Sequence, residues 1–367
     1  MRARELEIVG YDAIEFHVGN ARQAAHFYRT GFGFRLVGYA GPETGVGDRA
    51  SYVLEQGGIR FVLTAGLTPE HPVSQWQLRH GDGIRDVAFQ VPDAAGAFTA
   101  ATERGAIAVR EPEVLVDEHG EVTVATIAVY GDTIHSFVQR EGYAGSYRPG
   151  YMAVPEPPAS EARPEVGLRT VDHVVANVDL GDMERWAAFY QRILGFSELR
   201  HFDEASISTE DTALMSKVLS DRRGRVKLPI NEPAAGRHRS QIQEYLDANG
   251  GPGVQHLALA TDDIVGTVRT LTRRGIGFLS VPDTYYQQAR ERIGDVEESW
   301  DDLAELGILI DRDEEGYLLQ IFTDPVQDRP TVFFEIIQRH GAQGFGAGNF
   351  RSLFAAIERA QARRGNL

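Results

Sequence analysis

Val171-Asp-His-Val-Val-Ala-Asn-Val-Asp-Leu180 decides the fold when it is set against Tyr11-Asp-Ala-Ile-Glu-Phe-His-Val-Gly-Asn20, because the second stretch is an earlier copy of the first. Both read as a strand with Asp in second place, and both lead into an amphipathic helix. The first helix carries Ala24, Ala25, Phe27 and Tyr28 and stops near Gly31. The second carries Trp186, Phe189, Tyr190 and Ile193 and stops at Gly195. Apolar spacing of three and four residues with a terminal glycine is a helix signal. A Gly-Phe pair follows each, at Gly33-Phe34 and Gly195-Phe196.

The copying continues. Gly81-Asp-Gly-Ile-Arg-Asp-Val-Ala-Phe-Gln90 matches Gly251-Pro-Gly-Val-Gln-His-Leu-Ala-Leu-Ala260. Each leads through an acidic cap (Asp93; Asp262 and Asp263) into a helix ending at Arg104-Gly105 or Arg274-Gly275. Ile134-His-Ser-Phe-Val-Gln-Arg140 matches Phe333-Phe-Glu-Ile-Ile-Gln-Arg339. Repeated strand-helix-strand units in a fixed order predict an α+β protein of two tandem domains. Between the copies, Tyr147 to Arg169 holds Pro149, Pro155, Pro157, Pro158 and Pro164 among small and polar residues, a linker composition. The expected division is residues 1–150, a linker at 151–169, and 170–367.

A length of 367 residues agrees with two cores. The 42% hydrophobic and 25% charged content is that of a folded chain. No apolar run approaches the roughly 18 residues of a membrane span, and the N-terminus enters a strand-like segment without the apolar core of a signal peptide. With no cysteine, disulfides, thiolate metal sites and cysteine nucleophiles are excluded, which fits a reducing compartment. The expected location is cytoplasmic, with no membrane partner. A net charge of -16 argues against nucleic acid. The one basic cluster, Arg222, Arg223, Arg225 and Lys227, lies beside Asp221 and reads as a solvated turn.

What the halves do not share points to function. Where the second half has His173, His256 and Glu335, the first has Ala13, Asp86 and Ser136. A metal site kept in one half and lost in the other predicts that all three positions change together. Strand alternation places Val171, His173 and Val175 on one face, His256 with Ala258 and Ala260, and Glu335 with Phe333 and Ile337. A buried carboxylate on such a face needs a metal or a charged partner. Two imidazoles and one carboxylate leave three open positions on a metal and suit non-haem Fe(II). Zinc is more often tetrahedral, and no HExxH helix is present. The competing reading, a histidine hydrogen-bonded within an apolar core, stands for each residue taken alone. His26, His71, His80, His119, His201 and His238 read as surface residues.

Seven stretches of the second half carry a resemblance. They are Glu210-Asp-Thr-Ala-Leu-Met-Ser-Lys217, Gly224-Arg-Val-Lys-Leu-Pro-Ile-Asn-Glu-Pro233, Gly253-Val-Gln-His-Leu-Ala-Leu-Ala260, Asp311-Arg-Asp313, Tyr317-Leu-Leu-Gln-Ile-Phe-Thr323, Arg329-Pro-Thr-Val-Phe-Phe-Glu335 and Gly344-Phe-Gly-Ala-Gly-Asn-Phe-Arg-Ser-Leu-Phe354. Together they resemble the 4-hydroxyphenylpyruvate dioxygenase family of the vicinal oxygen chelate superfamily. The resemblance is dense over 170–367 and in outline only before that. It implies domains of paired βαβββ modules, the second an open iron-binding barrel closed by a C-terminal lid helix. It implies His173, His256 and Glu335 as Fe(II) ligands. It further implies a substrate pocket of Ser216, Pro229, Asn231, Gln241, Gln255, Gln320, Phe322, Phe333, Phe345 and Phe350. Alternation agrees for Pro229 with Asn231, Gln320 with Phe322, and Phe333 with Glu335, but turns Gln255 away from the site.

Gly344, Gly346 and Gly348 do not sit in a strand-to-helix nucleotide turn. They fit hinges before a lid helix running from Phe350 to about Arg363. The implied partners are a small aromatic 2-oxo acid and O2, and the implied assembly is a homo-oligomer, dimer or tetramer. The implied reaction forms homogentisate and CO2 from 4-hydroxyphenylpyruvate in tyrosine catabolism. The nearest alternative is 4-hydroxymandelate synthesis, which hydroxylates the benzylic carbon of the same substrate. A non-catalytic binding protein on the same scaffold is a third reading.

Overall fold

The computed structural model describes residues 6–155, 165–202, 214–234 and 240–365. Residues 156–164 of the expected linker, Glu210 to Ala213 of the first matched motif, and His238 lie outside these. Most helices begin at acidic or Ser/Asn residues. The strand period holds for His256 with Ala258 and for Glu335 with Phe333, but a bulge at Asp172 turns Val171 onto the core face, away from His173.

In the first half, β1 (Gly10–His17), α1 (Ala21–Thr30), β2 (Arg35–Ala40), β3 (Arg49–Gln56) and β4 (Ile59–Gly66) form one βαβββ module. After α2 (Pro72–His80), the second module is β5 (Gly83–Gln90), α3 (Ala94–Glu103), β6 (Ala108–Asp117), β7 (Gly120–Ala128) and β8 (Ile134–Gln139). A short β9 (Met152–Ala153) pairs with β2. The second half repeats the order with β10 (Leu168–Asn177), α4 (Met183–Leu194), β11 (Ser197–Phe202), β12 (Leu214–Ser220) and β13 (Lys227–Pro233). α5 (Gln241–Asn249) connects to β14 (Gly253–Thr261) and α6 (Ile264–Arg273). Helices α7 (Thr284–Ile293) and α8 (Trp300–Leu306) are inserted before β15 (Leu309–Arg312), β16 (Tyr317–Phe322) and β17 (Phe333–His340). α9 (Phe350–Arg363) ends the chain's regular structure. Asp93 and Asp263 cap their helices by accepting from Gly96 N (2.8 Å) and Gly266 N (2.9 Å), as the paired acidic signals require.

Each half is one curved sheet, ordered β6-β7-β8-β5-β1-β4-β3-β2-β9 and β11-β12-β13-β10-β14-β17-β16-β15. In both, two modules meet at a central antiparallel pair, β1 with β5 and β10 with β14. The register proves the equivalence of the copies. Ala13 pairs with Ala88 as His173 pairs with Ala258, and Glu15 pairs with Asp86 as Val175 pairs with His256. The opposite faces of the two sheets share one hydrophobic core. There Phe334 packs on Phe32 at 4.9 Å between ring centres and on Phe61 at 6.0 Å. Phe334 and Glu335 are successive residues on β17, so alternation puts one in the shared core and the other in the cup.

His80 departs from expectation. It is buried, and its ring bridges the Asn249 carbonyl (2.6 Å) and the Asp132 carboxylate (2.9 Å), joining the halves. Trp76, one helical turn back on α2, packs against its ring at 4.5 Å between centres, which no periodicity of α2 indicated. His26 and His119 are exposed. Arg222, Arg223 and Arg225 lie in a turn as expected, with the Asp221 carboxylate accepting from the backbone N of Arg223, Arg225 and Val226. Lys227, however, begins β13, and its side chain is mostly buried near Asp172, not solvated.

The first cup is filled. Tyr147 packs with Ala13, Val53 and Val62, and Asp86 accepts from the Ser136 backbone N (3.0 Å) and hydroxyl (2.5 Å). Burial pushes the Asp86 carboxyl up to about 7, against the hydrogen bonds from Ser136. The folded chain therefore keeps this proton up to about pH 7, whereas an unfolded aspartate releases it near 3.8. The resulting stability is complete below that lower value and is lost as pH rises through about 7. Asp86→Asn is expected to flatten this dependence: its melting temperature should change less than the parent's between pH 5 and pH 8.

Candidate metal centre

Three adjacent strands build the centre in two ranks across the cup. His173 on β10 lies opposite Ala258 on β14, which lies opposite Glu335 on β17, which lies opposite Phe322 on β16. The next rank is Val175, His256 and Phe333. Directly paired residues point to the same face, so Ala258, with only a methyl between them, leaves open the space between His173 and Glu335.

The donor atoms converge. His173 Nε2 lies 3.2 Å and His256 Nε2 3.5 Å from Glu335 Oε2. One ligand atom from each of the three residues lies within 4.8 Å of the others, and all three residues are at least nine-tenths buried. The other ring nitrogens settle the tautomers. His173 Nδ1 donates to Asp172 Oδ1 (2.8 Å) and His256 Nδ1 donates to Gln255 Oε1 (3.0 Å). With Nδ1 carrying the hydrogen, each neutral imidazole aims its Nε2 lone pair at a carboxylate. As neutral rings they set three lone-pair donors facing one another in a buried space, an arrangement that a metal ion between them relieves, as does a proton on His173 Nε2 shared with Glu335. Burial alone would raise the Glu335 carboxyl, but the two imidazoles hold it down at about 2. His173 is raised despite burial, by Glu335 and Asp172. This donor set fits a single metal ion, with the ligand spacing of roughly 3 Å that bonds of about 2 Å demand.

The residues that orient the histidines were not read from the sequence. Asp172 and Gln255 each precede a histidine, and simple alternation turns both away from the cup. The pairing of β10 with β14 skips one residue between Val171 and His173 and one between His256 and Val254. The skipped residues are Asp172 and Gln255. A bulge breaks the two-residue period, so Gln255 lines the cavity and its expected outward direction is corrected. The shared Asp in second place of the two copied stretches was the available signal. Asp172 is held in turn by Arg339, whose Nε and Nη2 reach its two oxygens at 2.8 and 2.9 Å.

Above the donors lies a concave, largely apolar cavity, the character of a small-molecule site. All thirteen residues expected at the site line it: the three donors with Ser216, Pro229, Asn231, Gln241, Gln255, Gln320, Phe322, Phe333, Phe345 and Phe350. Val175, Val218, Leu353, Phe354 and Ile357 complete the wall. Phe350, Leu353, Phe354 and Ile357 recur at helical spacing on α9, which thereby roofs the cavity. Its far end is pinned by Arg364, which donates to both Glu244 oxygens at 3.1 and 2.7 Å. The segment before it is held by two carboxylates: Asp313 accepts from Gln343 N and Gly344 N, and Asp311 from Gly348 N. His256 stacks on Phe333 at 4.7 Å, and Phe345 stands edge-on to His173 at 5.1 Å.

Two family models match this chain. One is described as Hydroxyphenylpyruvate dioxygenase, HPPD, N-terminal, and covers residues 4–148. The other is the Glyoxalase/Bleomycin resistance protein/Dioxygenase superfamily, over residues 170–325. The 4-hydroxyphenylpyruvate dioxygenase of Dictyostelium discoideum is 47% identical over 98% of this chain and 100% of its own length. That of Yarrowia lipolytica is 45% identical over 98% and 93%. The chain belongs to the 4-hydroxyphenylpyruvate dioxygenase family. Among solved structures, a triple mutant of 4-hydroxymandelate synthase from Streptomyces coelicolor superposes with a TM-score of 0.86 at 34% identity, covering 98% of this chain and 99% of that one. The 4-hydroxyphenylpyruvate dioxygenase family thus spans both halves of the chain, including the first, which lacks the donors.

Two outcomes follow from the geometry. Ala258→Leu should fold but lose metal, because the larger side chain occupies the gap in the donor rank; metal analysis of the purified protein checks it. Gly346 has φ +75°, and a Cβ there would lie 2.2 Å from Gln320 Oε1. Gly346→Ala should therefore displace Gln320 and cut turnover by tenfold or more, since a misplacement of about 1 Å costs on the order of 100-fold. Steady-state assay beside a melting curve separates this from unfolding.

Proposed function

We propose that this chain is an Fe(II)-dependent dioxygenase converting 4-hydroxyphenylpyruvate and O2 to homogentisate and CO2, with His173, His256 and Glu335 holding the iron. One observation carries the reading: two Nε2 lone pairs and one carboxylate meet at the floor of a cavity whose walls are aromatic and whose far end is polar. The polar rank is Ser216 opposite Asn231, with Asn231 opposite Asn177. Asn177 lies four residues along β10 from His173, about 13 Å at strand rise. An elongated aromatic ligand with an oxo acid at one end and a hydroxyl at the other matches that layout.

Bound ferrous iron would supply Lewis-acid and electron-transfer chemistry, coupling decarboxylation of the 2-oxo acid to the reduction of O2. The protein's own residues do the rest by position. Glu335 and the two imidazoles occupy one side of the site and leave the other for substrate. Phe322, Phe333 and Phe345 confine the ring; such aromatic contacts contribute about 0.5–1.5 kcal/mol each beyond burial. Gln320 is buried with its Oε1 unpaired on the cavity wall, a polar group available to the bound substrate. α9 excludes water while the ring is oxidised.

The division of labour belongs to the same reading, with residues 1–150 as a metal-free packing domain, 170–367 as the catalytic domain, and 151–169 as a connection whose Met152–Ala153 joins the first sheet and whose Leu168–Arg169 opens β10. So do work in the cytoplasm and assembly into a dimer or tetramer. No helix among the described residues is long and apolar enough to cross a membrane. Val109, Val114 and Val116 lie exposed on the edge strand β6, an apolar edge of the kind that subunit contacts cover.

The superposition on a 4-hydroxymandelate synthase favours a second reading, benzylic hydroxylation of the same substrate in the same cup. Anaerobic loading with Fe(II), then O2 and 4-hydroxyphenylpyruvate, followed by mass and NMR analysis, separates the two. Homogentisate is the expected product, and 4-hydroxymandelate the adverse one. His256→Ala should retain neither iron nor turnover while keeping the parent's circular dichroism.

A further inference from the structure

Asp172 and its counterpart Asp12 sit at equivalent bulges, and the two halves hold them alike. Arg339 grips Asp172 with Nε and Nη2, while Arg140 grips Asp12 with Nε at 2.5 Å and Nη2 at 2.7 Å. A second cation stands behind each aspartate, Lys227 Nζ at 3.8 Å and Arg60 Nη1 at 3.7 Å. Each gripping arginine also reaches past its strand. Arg339 Nη1 donates to the carbonyls of Ala342 (3.1 Å) and Gly344 (2.6 Å), and its guanidinium lies over the Phe345 ring at 5.5 Å. Arg140 Nη1 donates to the Tyr147 carbonyl, and its guanidinium lies over the Tyr147 ring at 5.1 Å. The clasp is thus duplicated. Only in the second half does the clasped aspartate also accept from an imidazole, because the first half has Ala13 where the second has His173.

We propose that Arg339 is a positioning residue that fixes the His173 imidazole through Asp172 and ties that ring to the segment leading into α9. The proposal rests on the reading of His173 as a metal ligand. A guanidinium fork holds a carboxylate in one plane. A carboxylate so held fixes the direction of the Nδ1–H bond, and with it the direction of the Nε2 lone pair. The same guanidinium anchors Ala342, Gly344 and Phe345, and Phe345 stands edge-on to the His173 ring. Movement of the hinge and rotation of the ring therefore share one anchor.

The first half supplies the control, since Arg140 makes the same contacts with no ligand to orient. Asp172→Asn, Arg339→Met, Asp12→Asn and Arg140→Met are compared by anaerobic Fe(II) titration against a chelator, with melting of the metal-free proteins alongside. All four should lower the metal-free melting temperature. Only Asp172→Asn and Arg339→Met should weaken Fe(II) binding, by about 10–100-fold. Hydrogen exchange at residues 341–349 should quicken in Arg339→Met and not in Arg140→Met. Parental Fe(II) affinity in both second-half variants overturns the proposal, and so does equal weakening in Arg140→Met, which would make the effect one of general stability. Unchanged exchange at 341–349 in Arg339→Met removes the link to the hinge. If Arg339→Met fails to fold, Asp172→Asn, which keeps the side-chain volume, decides the matter. A parent protein that binds no Fe(II) fails the ligand assignment instead.

Discussion

A carboxylate buried to 3% exposure between two imidazole nitrogens is the constraint around which the second half is organised. Glu335 is flanked along its strand by Phe334 and Ile336, both fully buried, and an isolated charge there would cost several kcal/mol. Its pairing with His173 and His256 offsets that cost only if the rings keep their nitrogens aimed at it. The bulges at Asp172 and Gln255 do this by turning the preceding side chain back onto each ring. The small Ala258 keeps the space open, and Arg339 holds Asp172. Replacing any of these with an ordinary strand residue would leave the donors present but misdirected.

The first half shows what the same scaffold does without that constraint. Its bulge, its clasped aspartate and its central strand pair are retained, yet Ser136 satisfies Asp86 and Tyr147 fills the cup. The cup in the second half stays open because the equivalent aromatic, Phe345, stands at the rim against His173, and α9 closes the space from above. Duplication of the backbone was compatible with two different interiors because each sheet's other face is committed to one shared core. The rings of Phe32, Phe61 and Phe334 meet there irrespective of what lies in the cups.

The sequence by itself determined the duplication, the order of the elements, and the three positions that differ in kind between the copies. Strand period and helix caps are local properties, legible from a few residues. The matched motifs named the remaining pocket residues, such as Gln241 and Phe350, whose convergence no local pattern implies. Only the tertiary structure decided which atoms meet. Alternation sent Gln255 outward because it assumes an unbroken period of two, and a bulge is a property of a strand pair rather than of either strand. His80 read as a surface residue because its burial depends on Asn249, 169 residues away. Arg339 carried no signal of its role for the same reason. The direction of its guanidinium depends on Asp172, Gly344 and Phe345 being brought together, and only packing of the whole half achieves that.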